Sequence, residues 1–205
     1  MSKPSDSTRD RIVAAARAEF ARHGIAGARV DRIAKAARTS KERVYAYFRS
    51  KEELYEFVAS AELAAAADAI HLDPADLPAY AGQMFDYFAA HPDRHRFIAW
   101  GRLELAVDPA AEPRDDAPGP YHAAILGKIE KIRRAQQNGD LDPAWDPIDI
   151  MALVTQIAHT WIDQTELATL ARHIAADATL PARRAAVVRA VTALFPPAAR
   201  PGTTP

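Results

Sequence analysis

Apolar residues return every three to four positions along nearly the whole chain, the spacing of one face of an α-helix. No run of alternating β-branched or aromatic residues bounded by turn pairs predicts a strand. Ser7, with Asp10 three residues later, approximates a capping box for a first helix. Ile12, Val13, Ala16 and Phe20 form its stripe, and Gly24 ends it. A short helix, Val30 to Ala37, turns Ile33, Ala34 and Ala37 inward, and Arg38-Thr39-Ser40 leaves room only for a turn. A second short helix, Lys41 to Phe48, buries Val44 and Phe48 at i, i+4. Ser50, with Glu53, starts a longer helix whose stripe is Leu54, Phe57, Val58 and Ala61.

Beyond Ile70, Asp73-Pro74 and Leu77-Pro78 predict a turn, and Tyr80 to Ala90 a helix with Ala81, Met84, Phe85 and Phe88 on one face. Pro92 opens a helix through Trp100 to Leu105. Four prolines and a run of acids predict a loop from Asp108 to Pro120. Tyr121 to Asn138 aligns Ile125, Ile129 and Ile132 and stops at Asn138-Gly139. Asp146-Pro147 opens one helix expected to run to Ala171, and Pro181 opens the last, with Val187, Val191 and Leu194 in register. The expectation is an all-α fold: a three-helix N-terminal domain (residues 1–60) joined by a shared helix to a larger helical bundle (61–195). A proline-rich tail (196–205) is expected to be disordered.

Charge changes this picture. The chain as a whole carries −1, but Arg9 to Lys51 holds twelve Lys/Arg against four Asp/Glu, a net of +8, leaving −9 for the rest. A basic segment of this kind either meets a polyanion or is a solvated face. The absence of cysteine excludes disulfides and thiolate metal sites. No stretch reaches the roughly 20 apolar residues of a membrane helix, and no secretory signal is evident, so a cytoplasmic protein without a membrane partner is expected. The seven histidines form no metal constellation, because Pro92 intervenes between His91 and His95 and no third ligand is evident. There is no nucleophile elbow, phosphate-binding glycine loop or carboxylate pair, so neither a cofactor nor catalysis is expected.

Two short helices joined by three residues inside a basic segment have the layout of a helix-turn-helix, in which the second helix enters the major groove. An ordinary helical hairpin with a charged surface has the same pattern. With Val44 and Phe48 inward, Lys41, Glu42, Tyr45 and Ala46 lie outward and Arg43 at the flank. Lys and Arg donate to guanine O6 and N7, and Glu accepts from cytosine N4. Ser40 would cap a helix start that favours a phosphate.

Residues 7–58 resemble the DNA-binding domain of the TetR family of bacterial regulators. The resemblance is carried by His23-Gly24, Ile33-Ala34 and the stretch Tyr45-Ala46-Tyr47-Phe48-Arg49-Ser50-Lys51-Glu52-Glu53-Leu54. It implies that Lys41, Glu42 and Arg43 read bases, that Tyr45 and Tyr47 contact phosphate and sugar, and that Lys51 holds a phosphate. Three positions depart from the family pattern: Arg38 stands where Gly is usual, Thr39 where an apolar residue is usual, and Arg29 where Ser or Thr caps the second helix. Arg38 is therefore expected in a left-handed conformation at a cost of about 1 kcal/mol. Arg29 gives up a cap worth roughly the same but can reach a phosphate.

The resemblance weakens after Leu63, where only helix count and order match. It implies a ligand cavity between the central helices and a dimer formed by the last two long ones. The residues available to line a cavity are Met84, Phe85, Phe88, Trp100, Tyr121, His159 and Trp161, all of which could equally be core. The helix from Pro147 is apolar on more than one side, so it packs against several neighbours, one of them a candidate second subunit. The expected interface is Met151, Val154, Ala158, Ile162, Val187, Val191 and Leu194. The function expected is a homodimeric repressor on a palindromic double-stranded operator, released by a small molecule of unknown identity. The shared helix would act as a lever. The alternative is a helical carrier or enzyme whose basic N-terminus is incidental.

Overall fold

The computed structural model describes residues 7–104 and 120–196, with side chains at 7–101 and 123–196. Every regular element among them is helical, and none is long and apolar enough to cross a membrane. The expected loop from Asp108, up to the residue before Pro120, and the tail beyond Pro196 lie outside the described residues. The chain divides into two compact units, Met1–Ala65 with His91–Asp116 and Ala66–Ala90 with Ala117–Pro205.

The first unit contains α1 (Thr8–Gly27), α2 (Val30–Ala36), α3 (Lys41–Tyr47), most of α4 (Lys51–Ala69) and α6 (Pro92–Glu104). Ser7 and Asp10 form the reciprocal capping box that starts α1, satisfying two otherwise orphaned amides. Helical geometry breaks at Gly24, whose φ of 67° and ψ of −178° suit only glycine. At the end of α2 the Arg38 amide donates to Lys35 and the Thr39 amide to Ala34, a Schellman closure. Arg38 takes the left-handed position at φ 53°, as its place in the turn requires.

Ile12, Ala16 and Phe20 of α1, Ile33 of α2, Val44 of α3 and Leu54 and Val58 of α4 fill one core. Phe97 brings α6 into it. The Tyr55 ring stacks on Phe97 at 4.9 Å and meets Phe20 edge-on at 5.3 Å, both favoured geometries. A Cβ at Gly101 would run into the Tyr55 hydroxyl oxygen, so a residue without a side chain lets α6 lie against α4. Beside these rings the Glu62 carboxylate of α4 is buried, with Arg17 Nη1 of α1 at 3.3 Å and Arg94 Nε of α6 at 3.1 Å. Thus α6, placed in the C-terminal bundle by sequence order, packs with the N-terminal helices through rings and charges.

The second unit contains a 3-10 turn (Pro74–Asp76), α5 (Leu77–Ala90), α7 (Pro120–Gln137), α8 (Pro147–Asp163), α9 (Thr165–Ile174) and α10 (Leu180–Leu194). The expected turn at Leu77-Pro78 is instead the first turn of α5. Proline is tolerated there, and Asp76 Oδ1 accepts from the Ala79 amide. Leu77, Tyr80, Ala81, Phe85 and Phe88 of α5 are buried, with Ile150, Val154 and Ala158 of α8 and Val187 and Val191 of α10. At Gly82 a side chain would crowd Arg184, whose Nε donates to Asp86 at 2.7 Å.

The single helix expected from Pro147 to Ala171 is two. Gln164 leaves helical geometry at φ −91° and ψ 61°. No Gly or Pro marks the break. One turn earlier the Thr160 hydroxyl donates to the Gln156 carbonyl at 3.2 Å, a back-bond that bends helices.

Candidate nucleic-acid interface and ligand region

The seven residues of α3 cannot form a stable helix alone, so packing must hold them. Val44 and Phe48 do so from inside, while Ser40 Oγ accepts from the Arg43 amide at the N-terminus. With that face fixed, Lys41, Glu42, Arg43, Tyr45, Ala46 and Tyr47 all stand exposed. Tyr45 and Tyr47, 43% and 38% exposed, are the only large apolar side chains left open in the described part of the first unit. Aromatic residues kept on the surface of so short a helix suit a partner surface better than a core.

The charged groups are not loose. Lys41 Nζ lies 3.1 Å from Asp31 Oδ1 of α2, and this hydrogen bond raises the lysine above its ordinary pKa. The Arg43 guanidinium sits over the Tyr47 ring at 5.6 Å. Glu42 is held below the usual carboxylate range by hydrogen bonds from its own amide and the Ser40 hydroxyl. Its negative charge thus lies at the start of α3.

Arg29 is exposed ahead of α2 and makes no side-chain cap; its amide donates to Glu19 Oε1 at 3.0 Å. Glu19 thus takes the part of the acid in a capping box, accepting from the N-cap amide, while the acceptor that a Ser or Thr side chain would offer to the next turn is not replaced. Lys51 is half-buried at the start of α4. Beside α3, the Arg9 guanidinium lies 4.2 Å from the Phe57 ring centroid and 5.6 Å from that of Phe48. The sequence treated Arg9 only as part of a charge total. Its place in the first turn of α1, over two rings, became visible only in the fold.

In the second unit Met84, Phe85 and Phe88 are buried on α5, and the buried His159 ring of α8 meets Phe88 edge-on at 4.9 Å. Trp161 is half-buried, with the Arg183 guanidinium over its ring at 4.4 Å. Trp100, half-buried on α6, belongs to the first unit. The Tyr121 side chain lies outside the described residues. A polar feature not anticipated from sequence is Lys128 of α7, whose Nζ donates to the buried Tyr80 hydroxyl at 3.0 Å. Burial lowers the lysine pKa and raises that of the phenol.

Of the expected interface residues, Met151, Val154, Ala158, Val187 and Val191 are buried within the protomer itself. Ile162 is half-buried and Leu194 exposed. The large apolar side chains left open in the described part of the second unit are Leu126, Ile148, Leu153, Leu180 and Leu194, together with Leu167, Leu170 and Ile174 of α9. The last three stand at i, i+3, i+7 on one helical face and are 51%, 51% and 79% exposed.

Comparison with known proteins agrees with this division of labour. Residues 12–58 match the model for bacterial regulatory proteins of the tetR family, and residues 76–192 match the tetracyclin repressor-like C-terminal domain. The chain is 37% identical to the HTH-type transcriptional repressor SCO4008 of Streptomyces coelicolor over 154 residues, 75% of this chain and 78% of that protein. Its structure is similar to that of the transcriptional regulator SCO4942 of Streptomyces coelicolor. That likeness has a TM-score of 0.83 and 61% identity, covering 93% of this chain and 99% of the other. Salmonella enterica GusR shares the fold alone, with a TM-score of 0.66 and 21% identity, covering 95% of this chain and 97% of that one. A short helix kept exposed by two buried anchors, in a chain matched by the family over both its parts, has one interpretation: this protein belongs to the TetR family and is a DNA-binding transcriptional regulator.

Proposed function

We propose that the protein is a cytoplasmic repressor that binds a palindromic operator as a homodimer and is released by a small molecule. The observation that carries this reading is the outer face of α3, where Lys41, Arg43, Tyr45 and Tyr47 are exposed together on a helix locked from inside by Val44 and Phe48. Lys41 and Arg43 read base edges, Tyr45, Tyr47 and Lys51 hold phosphate and sugar, and Ser40 and Arg29 flank them on the backbone. Glu42 reads a base only by leaving its place at the helix start. The protein regulates in this account and does not catalyse. SCO4008, its relative, is itself named a repressor.

The dimer surface proposed here is the open face of α9 with Leu153 of α8. It replaces Met151, Val154, Ala158, Val187 and Val191, which the resemblance and the apolar sides of the Pro147 helix suggested and which are buried within the protomer. The small molecule binds in the second unit near Phe88, His159 and Trp161; of the expected set Met84, Phe85 and Phe88 lie on α5 and His159 and Trp161 on α8, and the meeting of the Phe88 and His159 rings supports this choice. To release DNA it must favour the form that does not bind DNA. A hundredfold preference supplies about 2.7 kcal/mol per site.

Alanine variants test the reading of α3. Lys41→Ala and Arg43→Ala should each weaken operator binding by about 1–3 kcal/mol and relax preference at one base pair, while Lys51→Ala weakens binding to every sequence. Binding profiles across randomised duplexes identical to the parent's for both Lys41→Ala and Arg43→Ala would remove α3 from the groove. For release, candidate metabolites should quench Trp161 fluorescence and lower operator affinity over one concentration range. A compound that quenches fully yet leaves operator affinity unchanged would show that this region is not the switch.

A further inference from the structure

The basic segment holds four acids, and three have a local structural task. Asp10 closes the α1 capping box, Glu19 accepts from the Arg29 amide and from Arg32, and Glu42 bonds its own helix start. The fourth, Asp31, lies in the first turn of α2 and holds the ammonium of Lys41, the first residue of α3. Both members of this pair are open to solvent, at 68% and 47%. Ion pairs so exposed add little to stability, and the contact between α2 and α3 is already secured by the buried Ile33 and Val44. The pair therefore neutralises and orients a cation on the face turned toward DNA, where an unrestrained cation would strengthen binding.

An unrestrained lysine is a point charge on a flexible stem, and the nearest phosphate on any sequence satisfies it. Phosphate contacts strengthen binding without carrying sequence information. A carboxylate that fixes the ammonium at the helix start removes part of that general attraction and limits the positions the ammonium can reach. Resting on the reading of α3 given above, we propose that Asp31 is a specificity-determining residue: it holds Lys41 for a base edge and withholds it from the DNA backbone.

The test compares the full-length parent, Asp31→Asn, Lys41→Ala and the double variant. Each is titrated by fluorescence anisotropy against a duplex selected by the parent from a random pool and a scrambled duplex of equal length, at several salt concentrations. Asp31→Asn should bind the scrambled duplex more tightly, with a salt slope steeper by about one unit per subunit, roughly tenfold in affinity near ~0.1 M salt. Affinity for the selected duplex should change far less, so the ratio between the two falls. Asp31→Glu, which restores the charge, should return the ratio toward that of the parent. In the Lys41→Ala background the asparagine should have no such effect. The proposal fails alone if Lys41→Ala weakens the selected duplex but Asp31→Asn leaves the ratio unchanged. It also fails alone if Asp31→Asn tightens scrambled binding equally with and without Lys41, since the carboxylate would then act by its own repulsion of phosphate. If Lys41→Ala binds both duplexes as the parent does, the reading role of Lys41 falls and the proposal falls with it.

Discussion

Replacing Glu62 by Ala should lower the stability of the N-terminal unit by about 3 kcal/mol, the lower end of what removing one partner of a buried ion pair costs. The lower end applies because the two arginines are not deeply buried. The Glu62 side chain is 8% exposed, but Arg17 and Arg94 are 34% and 21% exposed and can turn partly to water. The loss also falls on the contact that binds α6 to α1 and α4 beside the Phe20, Tyr55 and Phe97 rings. For a chain of this size about 3 kcal/mol corresponds to a fall of roughly 6–12 °C in the melting temperature. A triple change to apolar residues at 17, 62 and 94 should be far milder than Glu62→Ala, because it removes the charges together. Thermal unfolding followed by circular dichroism checks both, and a Glu62→Ala melt within about 2 °C of the parent would show that the network stabilises nothing.

The second large effect concerns assembly. Ala158 has no exposed surface within the protomer, so Ala158→Arg would force a charge into the packed interior between α5 and α8. An unpaired buried charge costs more than about 4 kcal/mol, a large part of the roughly 5–15 kcal/mol that hold a domain together. The expected outcome is an unfolded or aggregated protein, not a folded monomer. Leu170→Arg is the opposite case. Leu170 is 51% exposed, so the protomer should keep its stability within about 0.5 kcal/mol. If α9 forms the contact between copies, light scattering should show monomers, because two-fold symmetry places the new charge in the interface twice. A folded Leu170→Arg protein that remains dimeric at the parent's concentration would exclude this face.

Local chemistry was readable from the sequence wherever one residue sets a backbone state. The capping box at Ser7, the break at Gly24 and the cap at Ser40 follow from neighbours within five positions, while the left-handed Arg38 was implied by the family resemblance, which puts Gly there. The face of α3 followed from only two apolar positions, Val44 and Phe48. What sequence could not resolve was which apolar surface a helix buries against its own chain and which against another. Val154 and Leu170 carry the same hydrophobic signal, yet one is 1% exposed and the other 51%. The break at Gln164 was hidden because no glycine or proline marks it, and the Thr160 back-bond one turn earlier is matched by back-bonds in the unbroken helices α9 and α10. Long-range charge pairing was also out of reach. Arg17 and Glu62 are 45 residues apart, and nothing in the sequence marks them as a pair.

The most direct test of the central claim is a titration of the unmodified protein against labelled DNA from upstream of its own gene, with a scrambled duplex of the same length as reference. The account predicts saturation at two protomers per palindromic site and binding to that site at least ~10³-fold tighter than to the scrambled duplex. It also predicts a steep loss of affinity between about 50 and 200 mM salt, as phosphate contacts from both subunits give way to counterions. Equal affinity for both duplexes across that salt range would contradict it.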